Sequence, residues 1–216
     1  MSFAAYLFDL DGTLIDSVAL ILASFHHTRE RHYGDRLPDD YYLTTLGMPL
    51  RDSFAKMASS PDDVAALVRT YVEYNLMHHD SMVRPYEGVA AMIAALTERR
   101  ARLALVTSKM SETAARGLRV AGIEGAFELI IGAEDVKRGK PDPEPVLLAL
   151  QKLGMSPDET VFVGDSPHDI EAGNRASVKT AAATWGPFPR AALAAAQPTF
   201  FVHRPEDVLG LSGAPV

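Results

Sequence analysis

The chain has 216 residues, of which 47% are hydrophobic and 23% charged, proportions typical of a globular protein with a substantial core. Acidic residues outnumber basic ones by 28 to 21, and the resulting net charge of −7, with no basic stripe, argues against nucleic acid as a partner. The absence of cysteine excludes disulfides, thiolate metal sites and a cysteine nucleophile.

Neither a secretion signal nor a membrane span is expected. The first residues, MSFAAYLFDL, lack the basic start of a signal peptide, and Asp9 interrupts their apolar stretch. Every apolar run is too short to cross a bilayer. We therefore expect a soluble, cytoplasmic protein without a membrane partner.

The first predicted element is a buried strand within AAYLFDLDG. It is apolar almost throughout, as expected for a strand covered on both faces, and it ends in Asp9, Asp11 and Gly12. Two carboxylates this close repel each other. A positive charge is therefore expected beside them.

A helical section follows, from about residue 16 to residue 84. It contains three helical stretches and no convincing strand, which predicts an insert that closes over the carboxyl end of a sheet. The apolar stripe of Leu20, Ile21 and Phe25 is assigned to a core. The histidines of this section are assigned to solvated positions: His26, His27, His78 and His79.

Strands and helices alternate from about Tyr86 onward. Strands are predicted in ARLALVTSK, FELIIGAED, TVFVGDS, VKTAAATWG and the start of TFFVHRPEDVL. Helices are predicted between them, one of them starting with a capping box at Ser111, and PRAALAAAQP is predicted to be a short surface helix. This alternation predicts an α/β fold, a Rossmann-like three-layer core with a parallel sheet, and an inserted α-helical domain.

Ligands of such sheets bind outside the carboxyl ends of the strands. Besides Asp9 and Asp11, the residues predicted at those ends are Thr107, Ser108, Lys140, Asp165 and Asp169. Several carboxylates in one cleft would repel each other unless a cation lies among them. Oxygen-only ligation suits Mg²⁺, which also retains water and substrate phosphate in its shell.

These residue types can carry out phosphoryl transfer. A carboxylate at a strand end can attack phosphorus, and a second carboxylate, displaced by the turn that Gly12 permits, can protonate the leaving group and then deprotonate water. Thr107 and backbone N–H groups can bind phosphoryl oxygens, while Lys140 can neutralise the charge that develops on them.

Four motifs in order, DLDGT, VTSK, GKPDP and GDSPHD, resemble those of the haloacid dehalogenase-like superfamily. The resemblance covers essentially the whole chain and implies a nucleophile at Asp9, a general acid/base at Asp11 and phosphate ligands at Thr107 and Lys140. It implies Mg²⁺ on Asp9, Asp165 and the Asp11 backbone carbonyl, with Asp169 supporting the metal from behind. It also implies a core of residues 1–15 and 85–216 and a helical cap of residues 16–84.

Within the superfamily the chain is most similar to the phosphoglycolate phosphatase group. Cap stretches such as MPLRDSF and HHDSMV resemble those of members that hydrolyse pyrophosphate. The expected substrate is a small phosphorylated metabolite or pyrophosphate, and the expected assembly is a monomer or a homodimer. The remaining residues assigned to substrate binding are Gly12, Thr13, Ser108, Gly47 and Arg51.

Several alternatives stay open at this point. Asp11 favours phosphoryl transfer over dehalogenation, since dehalogenases of the superfamily lack it. Ile21 stands where β-phosphoglucomutases have a histidine, and Lys56, the only lysine of the cap, has no other support as a Schiff-base residue. A mutase-like phosphoryl transfer or a non-catalytic regulator that binds a phosphorylated ligand remains the alternative. A module that docks proteins through the cap ranks below these.

Overall fold

The computed structural model describes residues 2–213 of the chain. The strands are β1 (Ala5–Phe8), β2 (Ile15–Asp16), β3 (Arg84–Pro85), β4 (Arg102–Val106), β5 (Leu129–Ile131), β6 (Thr160–Gly164), β7 (Lys179–Ala183) and β8 (Phe200–Val202). The helices are α1 (Val18–Tyr33), α2 (Asp39–Leu43), α3 (Leu50–Ala55), α4 (Asp63–Met82), α5 (Val89–Glu98), α6 (Ser111–Val120), α7 (Glu144–Leu153), α8 (Pro167–Arg175) and α9 (Arg190–Ala195). Short 3-10 turns lie at Glu124–Ala126, Ala133–Asp135, Pro157–Glu159 and Pro205–Gly210.

Six of the strands form one parallel sheet in the order β5-β4-β1-β6-β7-β8. β1 lies in the middle because its residues are apolar on both faces: Tyr6 and Phe8 belong to one buried cluster and Leu7 to the other. Helices α5 and α6 cover the first face, and α7 and α8 cover the second. The predicted Rossmann-like three-layer core is confirmed.

The section predicted to be helical contains α1 to α4 and has its own apolar cluster. The ring of Phe25 lies at its centre, 5.0 Å from that of Tyr42 and 4.9 Å from that of Tyr71. Ile21 belongs to the same cluster, whereas Leu20 belongs to the core cluster that contains Tyr6 and Phe8. These helices therefore pack largely on one another.

One short ribbon joins this section to the core. Asp16 pairs with Arg84, and Ile15 with Pro85, in antiparallel fashion where the chain enters and leaves the helices. Sequence patterns miss this ribbon because two residues are too few for any periodicity.

Two sequence-based expectations were wrong. Ser111 does not cap α6 with its side chain; it is the first helical residue, and its N–H donates to the Glu134 carboxylate at 2.9 Å, so a loop distant in sequence caps the helix. His79 was expected to be solvated but is buried at the C-terminal end of α4. Among residues 2–213, no helix is both long and apolar enough to span a membrane.

Candidate active site

The carboxyl ends of β1, β4 and β6 lie side by side at the middle of the sheet. Asp9, Thr107 and Asp165 directly follow these three strands. They line a cavity of about 760 Å³ whose opposite wall comes from α1, α3 and α4. The topology thus brings residues from distant parts of the sequence to one cavity, as parallel sheets do at this edge.

Lys140 lies among the carboxylates of this edge. Its Nζ donates to Asp9 Oδ1 at 2.8 Å, to Asp169 Oδ1 at 2.6 Å and to the Val106 carbonyl at 3.2 Å. Lys140 and the two aspartates are buried. A buried ammonium needs such partners, and here all three of its protons have an acceptor.

One ammonium does not neutralise this cluster. Asp9, Asp165 and Asp169 each place a carboxylate oxygen within 4.8 Å of the other two, and all three residues are buried. Burial raises the pKa of Asp9 to about 7, although Lys140 opposes the shift. Burial, with the charges of Asp169 and Asp9, raises the pKa of Asp165 well above its ordinary range. The cluster therefore has an excess of negative charge that a cation would relieve.

Although burial opposes it, the carboxylates of Asp169 and Asp9 raise the pKa of Lys140 above its usual range. Lys140 therefore stays an ammonium at any ordinary pH. Asp169 is held further by α8, at whose start its Oδ2 accepts from the N–H of Ser166 at 3.0 Å and from its hydroxyl at 2.6 Å. This is the reciprocal cap of a helix N-terminus.

The turn after Asp9 fits closely against Asp165. Gly12 has φ of +84°, and a Cβ there would overlap the Asp165 carboxylate. Thr13 is buried, and its hydroxyl donates to Asp165 Oδ1 at 2.8 Å. Among the described residues, neither Oδ2 of Asp9 nor Oδ2 of Asp165 accepts a hydrogen bond. These two oxygens are thus left for a ligand.

Asp11 is partly exposed beside the buried cluster. Its Oδ1 accepts from Lys109 Nζ at 2.6 Å and also from the Ser17 hydroxyl. Neither partner was assigned to the site from the sequence. Lys109 ends the motif VTSK, of which only the threonine and the serine are predicted site residues.

Thr107 and Ser108 lie at the end of β4. Thr107 is buried, and its Oγ1 accepts from the N–H of Lys109 at 3.2 Å. The Ser108 hydroxyl donates to the Gly47 carbonyl at 2.7 Å, which ties the α2–α3 loop to the core. Gly47 has φ of +80°, and a Cβ there would come within 2.9 Å of Ser166 Oγ. This loop therefore lies directly on the site.

The wall opposite the carboxylates is mostly apolar. Its side chains come from the helices and loops between β2 and β3 and include Ile21, Phe25, Leu46, Leu50, Val68 and Tyr71. Arg51, at the start of α3, lines the cavity and is exposed. Thr13 and Asp169 are the two assigned residues that lie behind the cavity wall instead of on it.

The chain is similar to proteins of known family. The family model for haloacid dehalogenase-like hydrolases matches residues 6–183. A pyrophosphatase PpaX from Halalkalibacterium halodurans is 43% identical over 181 residues, which cover 84% of this chain and 83% of the relative. A PpaX from Anoxybacillus flavithermus is 38% identical and covers 99% of this chain and 98% of its own.

Solved structures give the same answer. A haloacid dehalogenase-like family hydrolase from Streptococcus pneumoniae superposes with a TM-score of 0.85 at 27% identity, covering 96% of this chain and 97% of its own. A candidate phosphoglycolate phosphatase from Lactobacillus plantarum gives a TM-score of 0.88 at 25% identity, covering 97% and 99%. This chain belongs to the haloacid dehalogenase-like hydrolase family and is a phosphatase of that family.

Proposed function

We propose that the chain is a Mg²⁺-dependent phosphatase that acts through an aspartyl-phosphate on Asp9, with pyrophosphate as its first candidate substrate. This proposal rests on two carboxylate oxygens, Asp9 Oδ2 and Asp165 Oδ2, that accept no hydrogen bond from the described residues and lie beside the buried ammonium of Lys140. The Asp9 oxygen would attack phosphorus, and a cation held by the carboxylates, together with the Lys140 ammonium, would attract the anionic phosphoryl group.

The donor set fits a hard divalent cation. Asp9 and Asp165 would hold it directly, with the Asp11 backbone carbonyl, while Asp169 supports the site from behind through Lys140 and Ser166. When bound, Mg²⁺ would neutralise the carboxylates and draw charge from the phosphoryl oxygens.

In the first step Oδ2 of Asp9 attacks phosphorus and the bond from phosphorus to the leaving oxygen breaks. The electron pair of that bond goes to the leaving oxygen, and Asp11 supplies the proton. Thr107 would bind a phosphoryl oxygen, and the ammonium of Lys140, whose three protons stay on their protein acceptors, would offset the charge that develops on the phosphoryl group.

In the second step Asp11, now ionised, takes a proton from water. The hydroxide attacks the phosphorus of the aspartyl-phosphate, the bond to Asp9 breaks, and inorganic phosphate leaves. Asp9 is restored as a carboxylate and Asp11 as an acid. The apolar wall of the cavity, part of the proposed cap of residues 16–84 over a core of 1–15 and 85–216, would exclude bulk water.

Substrate choice rests on the relatives. The relatives named pyrophosphatase PpaX reach 43% identity, and this similarity supports pyrophosphate as the first candidate substrate. The similarity to a candidate phosphoglycolate phosphatase favours 2-phosphoglycolate as the second candidate. A mutase-like transfer has weaker support, since Ile21 offers no acid or base on the cavity wall.

The test is phosphate release from pyrophosphate and from 2-phosphoglycolate, each with Mg²⁺ and with EDTA. We expect turnover of pyrophosphate at the higher kcat/KM and its loss in EDTA. Preference for 2-phosphoglycolate would replace the substrate but keep the mechanism. Turnover of neither, or full activity in EDTA, would contradict the proposal. Size-exclusion chromatography would decide between the two expected assemblies, a monomer and a homodimer.

A further inference from the structure

Lys109 holds the carboxylate that the proposed mechanism uses as acid and base. Its Nζ lies 2.6 Å from Asp11 Oδ1, and the Ser17 hydroxyl donates to the same oxygen. Oδ2 of Asp11 accepts no hydrogen bond from any residue in the described range, so it is the oxygen left to meet a leaving group.

This arrangement places a positive charge beside the leaving group. A leaving oxygen must contact Asp11 to receive its proton. Lys109 contacts the other oxygen of the same carboxylate, so only the Asp11 carboxylate group separates its Nζ from the leaving oxygen. Groups attached to the leaving oxygen are therefore within reach of a flexible lysine side chain.

The other cations of the cavity are less suited to this position. All three protons of Lys140 have buried acceptors. Arg51 is exposed on the opposite wall, and Arg138 is exposed and paired with Asp142 and Glu144. Lys109, with a side chain only 16% exposed and one carboxylate partner, keeps donors for a further anion.

We propose that Lys109 selects substrates whose leaving group is itself an anion, such as the second phosphate of pyrophosphate. This inference rests on the proposed function and names the residue that sets its specificity. When the bond to the bridging oxygen breaks, negative charge grows on the departing phosphate, and Lys109 can donate to it while still holding Asp11. A neutral leaving group gains no such interaction.

The test compares pyrophosphate with phenyl phosphate, whose leaving group carries no charge beyond its reacting oxygen. Lys109→Met keeps the length of the side chain and removes its charge. Both activities should fall because Asp11 loses a partner. The ratio of kcat/KM for pyrophosphate to that for phenyl phosphate should fall further, by about 10- to 100-fold, the equivalent of one charged hydrogen bond.

Two variants serve as controls. Lys137→Met removes another lysine that lines the cavity but has no contact with Asp11, and it should leave the ratio unchanged. Lys109→Arg keeps the charge and should preserve the preference for pyrophosphate within a few-fold. A direct change in kcat as well as KM is expected for Lys109→Met, since the charge on the departing phosphate grows during the reaction.

Binding measurements test the inference without turnover. In the wild-type protein with Mg²⁺, methylenediphosphonate should bind more tightly than methylphosphonate, and Lys109→Met should remove most of that difference. If Lys109→Met does not fold, the inference is still tested by the substrate ratio of Lys109→Arg and by the difference in affinity of the wild-type protein for the two phosphonates.

An equal loss of both activities in Lys109→Met, or no loss in either, would overturn the selection by Lys109 and leave the phosphatase proposal standing. Equal affinity of the wild-type protein for the two phosphonates would do the same. If the wild-type protein hydrolyses neither substrate, the proposed function fails, and the inference fails with it.

Discussion

The two walls of the cavity are built on different principles. On the core wall, charged groups lie at strand ends and bind one another: Lys140 alone joins Asp9, Asp169 and a backbone carbonyl. On the opposite wall, the side chains are mostly apolar and Arg51 is exposed. The groups proposed to react are therefore fixed by the sheet, whereas the helices opposite line the cavity with apolar side chains.

The difference extends to how each wall is supported. The core wall rests on parallel strands that pair along their length, so the backbone that carries its side chains is held by many hydrogen bonds. The helices α1 to α4 pack on their own aromatic cluster and meet the core through few polar contacts. Two of these are Ser108 with Gly47, at 2.7 Å, and Arg116 with Asp80, at 2.8 Å.

The largest effect is expected from Asp9→Asn, which would remove the proposed nucleophile from the core wall. Asn cannot attack phosphorus as a carboxylate does, so phosphate release should fall by at least about a thousandfold. The melting temperature should change little. The exposed Asp158→Asn is the matched control and should keep full activity. Substantial turnover by Asp9→Asn would remove Asp9 as the nucleophile.

The second prediction concerns the stability of the same wall. Lys140→Met removes the ammonium that joins two buried carboxylates, and breaking such a buried pair costs about 3–5 kcal/mol. Urea unfolding in EDTA should show this loss. Lys152→Met, at an exposed lysine 4.0 Å from Asp135, should change the free energy of unfolding by less than about 0.5 kcal/mol. Similar values for the two variants would contradict the proposed role of Lys140 in holding the wall together.

A smaller effect is expected on the opposite wall. Arg51→Ala removes an exposed charge, so KM for pyrophosphate should rise about 2- to 5-fold while kcat stays nearly constant. Arg69→Ala, an exposed arginine of α4 outside the cavity lining, should leave both constants unchanged. A large loss of kcat in Arg51→Ala would mean that the opposite wall takes part in the chemistry, and it would contradict the proposed difference between the two walls.

The smallest effect concerns His79, which lies where α4 meets the core. Burial, with the nearby charges of Lys109 and Arg116, lowers the pKa of His79 below its usual value despite its bond to Asp80. The unfolded chain then binds a proton that the folded chain does not, so stability decreases as the pH falls below about 6.5.

His79→Gln should therefore flatten the dependence of the unfolding free energy on pH between about 7 and 5.5. The difference in slope cannot exceed about 1.4 kcal/mol per pH unit for one proton. Urea unfolding at several pH values measures it. Parallel curves for the variant and the wild-type protein would show that the burial of His79 has no effect on its protonation.

Much of the fold could be predicted from the sequence because local patterns determine it. The apolar runs before Asp9, Thr107 and Asp165 predicted three of the strands that the structure contains, β1, β4 and β6. Hydrophobic periodicity is a property of neighbouring residues, so it can be read without a structure.

The contacts of single side chains could not be predicted in this way. Lys109 is not among the predicted site residues although it follows Ser108 directly, because the strand pattern places it near the edge that carries Asp11 but does not show where its side chain points. The start of α6 was misread at Ser111 for the same reason, since its partner Glu134 comes from the loop after β5.

By itself the sequence determined the alternation of strands and helices, the helical insert and the residues at the strand ends. Only the tertiary structure decided which charged side chains meet: Lys140 donates to both Asp9 and Asp169, and Lys109 donates to Asp11. It also decided that the opposite wall of the cavity is mostly apolar. The physical reason is that strand order and packing, which depend on interactions across the whole chain, set the distances on which electrostatic and hydrogen-bond energies depend.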